Sequence, residues 1–232
     1  MSRALPADPA ALAAVLPDDA RWLYARSVLL SGDARVRWGA AGDAALVLDS
    51  TTAVLVGRPD PELLREALAG PPGRSLLVGQ DALARVRAAL PGWIPRLFVV
   101  HMRRDPYLAG TRAAPGVVSA PLDPAVLAGL PADAKDAPAA AVSVVDGLPV
   151  AVCSVSDLTE SLWDVGIDTI ESARRQGHAT AAFLALAAVM AAQGRQPVWA
   201  YQDYPPSLAL AARLGFRPVA RLAELVPPGR GD

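Results

Sequence analysis

The chain has 232 residues, 53% of them apolar, with 22 Lys and Arg against 23 Asp and Glu for a net charge of −1. This apolar content excludes a disordered chain and suffices for one large domain or two small ones; the balanced, scattered charge, with Lys135 the sole lysine, leaves no polyanion-binding face and argues against nucleic acid as a partner. The lone Cys153 excludes an internal disulfide, no CxxC or Cys/His cluster points to a metal, and MSRALPADPAALAAVLPDDA is broken by Pro and Asp before any apolar run of signal-peptide length, so the expectation is a cytoplasmic protein without metal or membrane attachment.

From the N-terminus, Asp8 to Ser27 reads as two short helical pieces divided near Pro17. RVRWG, AALVLD and TAVLVG follow as a strand meander punctuated by Gly, Asp and Ser. PDPELLREALAG is a helix with Pro at its start and Gly at its end, SLLVG a short buried strand, QDALARVRAAL a helix and PRLFVVHM a strand. The Gly, Pro and charged stretch from Arg103 to Gly116 is the expected boundary between an N-terminal α/β domain, residues 1–113, and a second domain, residues 114–232, on which the first would pack. No internal repeat is visible in the residues.

Beyond Gly116 come a strand (GVVSA), a helix (PAVLAGL) and a polar loop (PADAKDAP). AAAVSVVD and LPVAVCSVSD form a hairpin around Asp146-Gly147, and SLWDVGIDTI is the next strand. A helix runs from Gly177 to Gln193, apolar nearly all round through Phe183, Leu184, Leu186, Val189 and Met190, and therefore buried on more than one side. QPVWAYQ is a strand, Ser207 to Leu214 a helix with Ser207 as its cap, and FRPVARLAELV a final strand. The order fits a mixed sheet covered by helices.

The richest stretch is VGIDTIESARRQGHA, from Val165 to Ala179, where an apolar strand breaks into a basic turn that opens directly into the long helix. The first N–H groups of a helix have no intrahelical acceptor and carry the positive end of its dipole, so such a junction suits a phosphate or pyrophosphate. Gly177 lacks a Cβ and permits close approach to the main chain, Ala179 keeps the next turn small, and Arg174 and Arg175 add positive charge.

Arg174-x-x-Gly177-x-Ala179 resembles the acyl-CoA pyrophosphate loop of the GCN5-related N-acetyltransferases (GNAT). DVGIDT resembles the fourth strand of that fold, GRQPVW the entry to the fifth, and SLALAARLGF the last helix with its Leu-Gly-Phe exit. The combination is similar to the branch that includes the zwittermicin-resistance type enzymes. The resemblance implies a GNAT-like, mixed and mostly antiparallel sheet flanked by helices, with the N-terminal α/β domain as an addition. It also implies an N-acetyltransferase that moves acetyl from acetyl-CoA to a primary amine of a small molecule or peptide, as a monomer or homodimer. The Ala, Arg and Pro bias fits a GC-rich bacterial genome. Family members usually close with two strands after the last helix, whereas here one remains.

By the same resemblance, acetyl-CoA would lie along Ile167, Asp168, Thr169 and Ile170 with its pantetheine arm and on Arg174, Arg175, Gln176, Gly177, His178, Ala179 and Thr180 with its pyrophosphate, and would touch Ser207. His178 would contribute backbone rather than ring. The strand is expected to part from its neighbour beyond a bulge, freeing backbone donors for the arm and the thioester carbonyl. An alkyl amine is mostly protonated at neutral pH, so a base is needed; Asp164 is the candidate, with Asp168 and Glu171 as alternatives. The family's usual thiolate-protonating Tyr falls at Ala211, and the Asn that often precedes the last helix falls at Tyr204. Tyr204, or Tyr201, is the replacement acid. These departures keep two other readings open: an acyl-CoA-binding module without turnover, and a transferase for a longer acyl donor. Cys153, in an alternating apolar strand, reads as core.

Overall fold

The chain divides into two compact units that are discontinuous in sequence: residues 1–100, 201–204 and 218–232 form the first, residues 101–200 and 205–217 the second. The computed structural model describes residues 4–68, 74–106, 117–119, 132–201 and 204–229. The expected domain boundary at 113/114 and the helix expected at PAVLAGL fall outside them.

In the first unit, α1 (Pro9–Val15) starts with Pro9 at its first position and the Asp8 carboxylate accepting the Ala11 N–H at 2.9 Å. It packs against α2 (Leu23–Leu30), and the buried Arg26 guanidinium donates to the carbonyls of Ala13 and Leu16. An antiparallel meander follows: β1 (Arg35–Trp38), β2 (Ala44–Leu48) and β3 (Thr52–Gly57). After α3 (Pro61–Leu68) the chain returns as β4 (Ser75–Gly79), parallel to β3, then continues through α4 (Leu83–Ala89) into β5 (Ile94–Arg103). The free side of β4 is paired, antiparallel, by β11 (Phe216–Val226), with Leu222 opposite Gly79 and Leu225 opposite Leu76.

β2 and β3 read as continuous apolar runs because both faces are covered. Leu46, Leu55, Leu76 and Leu225 pack with Leu63, Leu64 and Val86 on one side; Val47, Val54 and Val56 pack with Leu12, Ala25 and Leu29 on the other.

The second unit contains β6 (Val117–Ser119), α5 (Ala132–Lys135), β7 (Ala140–Val145), β8 (Leu148–Leu158) and β9 (Leu162–Thr169), then α6 (His178–Ala192), β10 (Gln196–Tyr201) and α7 (Pro205–Arg213). Its strands lie in the order β10-β9-β8-β7-β6, antiparallel except for the β9–β10 pair. The β7–β8 turn needs two left-handed residues, and Asp146 (φ 50°) and Gly147 (φ 78°) supply them. α6 packs on β6 to β9, with Phe183 at the centre of an aromatic group formed with Trp163, Trp199 and Phe216. Phe183, Leu186 and Met190 are buried, while Leu184 and Val189 are half-buried.

The architecture is the expected mixed α/β class, mostly antiparallel strands flanked by helices. Two local expectations are corrected. PADAKDAP holds the short helix α5 rather than being loop throughout, and Ser207 does not cap α7: Pro205 and Pro206 already form its first positions, since proline is favoured where a helix N–H is unsatisfied anyway.

Candidate functional site

β9 and β10 start together and then part. Their parallel register runs Leu162–Gln196, Trp163–Pro197, Asp164–Val198 and ends there, although β9 continues to Thr169 and β10 to Tyr201. On its other side β9 stays paired to β8 as far as Thr169 opposite Ala151. Strand N–H groups alternate in direction, and the Ile170 N–H donates to Val150 O at 3.0 Å, so even-numbered donors of β9 face β8. The odd-numbered ones, on Val165, Ile167 and Thr169, face the opening.

Two of these donors are held locally. The Val165 N–H donates to Asp164 Oδ1 at 3.0 Å and the Thr169 N–H to Asp168 Oδ1 at 2.7 Å. Asp164 is only 7% exposed and sits at the last paired position, so its carboxylate marks the apex of the opening. The register shift between β8 and β9 falls opposite it: Ser156 and Asp157 of β8 lie across from Asp164 alone. The bulge that bends this strand pair is therefore in β8 rather than in β9 itself. On the face shared by Asp164 and Asp168, Gly166 leaves room for two hydroxyls, since a Cβ there would meet Ser154 Oγ and Ser156 Oγ at 2.7 Å.

Residues 170–177 join β9 to α6. Glu171–Ala173 form one 3-10 turn, Arg174 returns to extended backbone, and Arg175 (φ 63°) and Gly177 (φ 92°) are left-handed. Gly177 is the N-cap residue of α6; it contributes no side-chain cap, and a Cβ on it would meet nothing within 4 Å. The helix thus begins with its first donors uncovered by any capping side chain, beside open space. The Arg174 guanidinium is drawn back through Nε, 3.3 Å from Thr169 O, and Gln176 Nε2 donates to Ser172 O at 3.0 Å. Arg174, Arg175 and Gln176 are exposed, and Ala179 and Thr180 are half-buried in the first turn of α6. The His178 ring is turned inward, its Nδ1 2.8 Å from Ser143 Oγ on β7, which pins the helix start to the sheet.

The other sequence candidates lie as follows. Ile167 is half-buried, Ile170 is exposed just past the strand end, and Glu171 is exposed. Tyr204 is 44% exposed immediately before α7. Ser207 is buried, its Oγ accepting the Trp199 indole N–H at 2.9 Å. Ala211 is 1% exposed in the aromatic core, so no acid can come from that position. Cys153 is fully buried, and burial pushes its thiol well above the ordinary range, leaving it unreactive. Tyr201 lies at the end of β10.

His101 was not among the sequence candidates. It is buried, and its Nδ1 lies 3.3 Å from the carbonyl of Trp199, the first β10 residue beyond the paired segment. A lone imidazole inside the apolar run PRLFVVHM was the available signal. Among the described residues no group of three or more His, Cys, Asp or Glu side chains is placed to hold a metal, and no helix is long and apolar enough to cross a membrane.

Residues 141–223 match the family model described as GNAT acetyltransferase. No curated protein matches the chain. Among solved structures, a GCN5-related N-acetyltransferase-like protein from Streptococcus suis is similar at 17% identity, with a TM-score of 0.67 over 93% of this chain and 96% of that one. A GCN5-related N-acetyltransferase from Kribbella flavida is similar at 20% identity and a TM-score of 0.58, covering 90% and 94%. An acetyltransferase of the GNAT family from Colwellia psychrerythraea gives 14% and 0.52, covering 91% and 90%. At these identities the likeness establishes the fold.

Proposed function

We propose that this chain is a GNAT-type N-acyltransferase, similar to the zwittermicin-resistance branch and cytoplasmic, that transfers acetyl from acetyl-CoA to a primary amine of a small molecule or peptide. The observation that carries the reading is the coupling of two features of one segment: the opening between β9 and β10 from Asp164 and Val198 onward, and the bare Gly177 start of α6.

The pyrophosphate is assigned to the backbone donors from Gly177 to Thr180, aided by the helix dipole and by the charges of Arg174 and Arg175. The pantetheine amides are assigned to the open edge of β9, in the manner of an added strand along Ile167 to Ile170. There the Asp164 and Asp168 carboxylates occupy the donors of Val165 and Thr169 in the ligand-free protein. A thioester carbonyl arriving at this edge would take over such a donor, and the developing oxyanion would be stabilised by it. The released Asp164 carboxylate takes a proton from the acceptor ammonium. The neutral amine then attacks the carbonyl carbon, a C–N bond forms, the nitrogen gives up its further proton to water, and the C–S bond breaks to give CoA thiolate. The proton for the thiolate is assigned to Tyr204 or to water, since a thiol pKa near about 8.5 makes thiolate a tolerable leaving group.

A second reading, acyl-CoA binding without turnover, is favoured by the burial of Ala211 where the family's usual acid stands. Incubating the protein with acetyl-CoA and a panel of amines while following free CoA separates the two. Amine-dependent release supports the enzyme; CoA binding with no release from any amine supports the binding module. The mass of a co-purified CoA ester reports a longer acyl donor.

A further inference from the structure

We infer that residues 35–103 are a degenerate second copy of the topology of residues 140–226, with its acyl-donor site closed. The inference rests on the donor-site reading of the second copy. In chain order the first stretch is β1, β2, β3, α3, β4, α4, β5 and the second is β7, β8, β9, α6, β10, α7, β11. In each, three strands form an antiparallel meander, a helix crosses over, and the fourth strand returns parallel to the third.

The agreement extends to register. β3 and β4 pair through their first three residues only, Thr52–Ser75, Ala53–Leu76 and Val54–Leu77. β9 and β10 likewise pair through their first three, Leu162–Gln196 to Asp164–Val198. A strand pair that parts after three residues is a distinctive irregularity, and it occurs at the same step of both copies. The family model covers only the second copy.

At two places where the second copy is assigned to a donor, the first differs. Val54 holds the register position of Asp164, so the carboxylate is missing. The crossover before α3 is residues 58–60, against residues 170–177 before α6. Asp60 stands where Gly177 stands: its Oδ1 accepts the N–H groups of Glu62 at 3.0 Å and Leu63 at 3.2 Å. Its other oxygen would lie 2.7 Å from a Cβ on Gly39, so the carboxylate lies over that residue in space that only glycine leaves open. A fixed negative charge on the first donors of α3 excludes a pyrophosphate by occupying the same N–H groups and by repulsion. A small cavity beside the end of the β3–β4 pairing is lined by Trp22 and Tyr24 together with Val54, Leu55 and Leu77, so the closure rests on Asp60 and on the missing carboxylate.

The full chain is titrated with CoA by calorimetry, and amide hydrogen exchange is mapped with and without saturating CoA. The expected result is one CoA per chain, protection within residues 164–180, and none within residues 52–64. Two CoA per chain, or protection within residues 52–64, overturns the closure while leaving the donor reading of the second copy intact. Absence of binding to the chain refutes that reading, and with no open copy for comparison it overturns the contrast too.

Discussion

Replacing Gly177 with aspartate would give α6 the cap that Asp60 gives α3, and so tests the assigned donor site by closing it. In the free protein the substitution has two opposed effects. A side chain at φ 92° is strained by about 1–2 kcal/mol, and a carboxylate accepting the orphan donors of the first turn returns about 0.5–2 kcal/mol. There is room for it, because a Cβ at Gly177 meets nothing within 4 Å. The net effect lies between about 1 kcal/mol stabilising and about 1.5 kcal/mol destabilising, a shift of at most about 3–6 °C in melting temperature for a chain of this size. Binding should suffer far more. A carboxylate about 4 Å from a phosphate charge is repelled by about 4 kcal/mol at an effective dielectric near 20. If screening leaves a third of that, the affinity falls tenfold, about 1.4 kcal/mol, before the occupied donors are counted. Calorimetric titration with CoA, beside thermal unfolding of the same sample, reads both quantities. Gly177→Ala, with the strain but without charge or cap, separates the backbone contribution. A Gly177→Asp protein that melts normally and binds CoA within twofold of the parent would refute the assignment.

Arg174→Ala should weaken CoA by less than Gly177→Asp, because backbone and dipole supply part of the attraction and the guanidinium is already bonded to Thr169 O; calorimetry that ranks the two the other way would move the site toward the side chain. Asp164→Asn should lower amine-dependent CoA release by roughly 10² to 10⁴ with CoA affinity preserved, and normal release rates would pass the role to water or to another carboxylate. A chain starting at Gly116 removes β4, leaving Leu222 to Leu225 of β11 without their partners. It should aggregate or melt well below the full chain, and a soluble monomer with unchanged melting temperature in light scattering and calorimetry would contradict that.

Much of the second unit was legible because its signals are local. Asp146-Gly147 between apolar runs can only turn one way, and a glycine between a strand and an Ala/Leu-rich run marks a helix start whatever surrounds it. The opening beside Asp164 was anticipated through resemblance; residue pattern alone says where strands are, not where two of them cease to pair. The place of the bulge, in β8, was not legible for the same reason, since a register shift depends on both partners. The repeat went unseen because it resides in connectivity and register while the residues have diverged, Val54 for Asp164 and Asp60 for Gly177. His101 and the Trp199–Ser207 bond join residues distant in sequence or hidden in apolar runs, and alternation carries no information about such partners.

The return of β11 to the first unit makes the order of synthesis matter. Ala223 and Leu225 are core residues of that unit, packed with Leu76, Val78 and Leu64, yet they follow Gly79 by about 140 residues. At about 5–20 residues per second the nascent β4 waits roughly 7–30 s with one edge unpaired and part of its apolar cover missing. The N-terminal third therefore cannot mature as it leaves the ribosome; it is held incomplete until the last strand emerges. A stop codon or proteolytic nick near Phe216 would act at a distance, depriving the part made first of a strand while sparing every residue of the assigned donor loop.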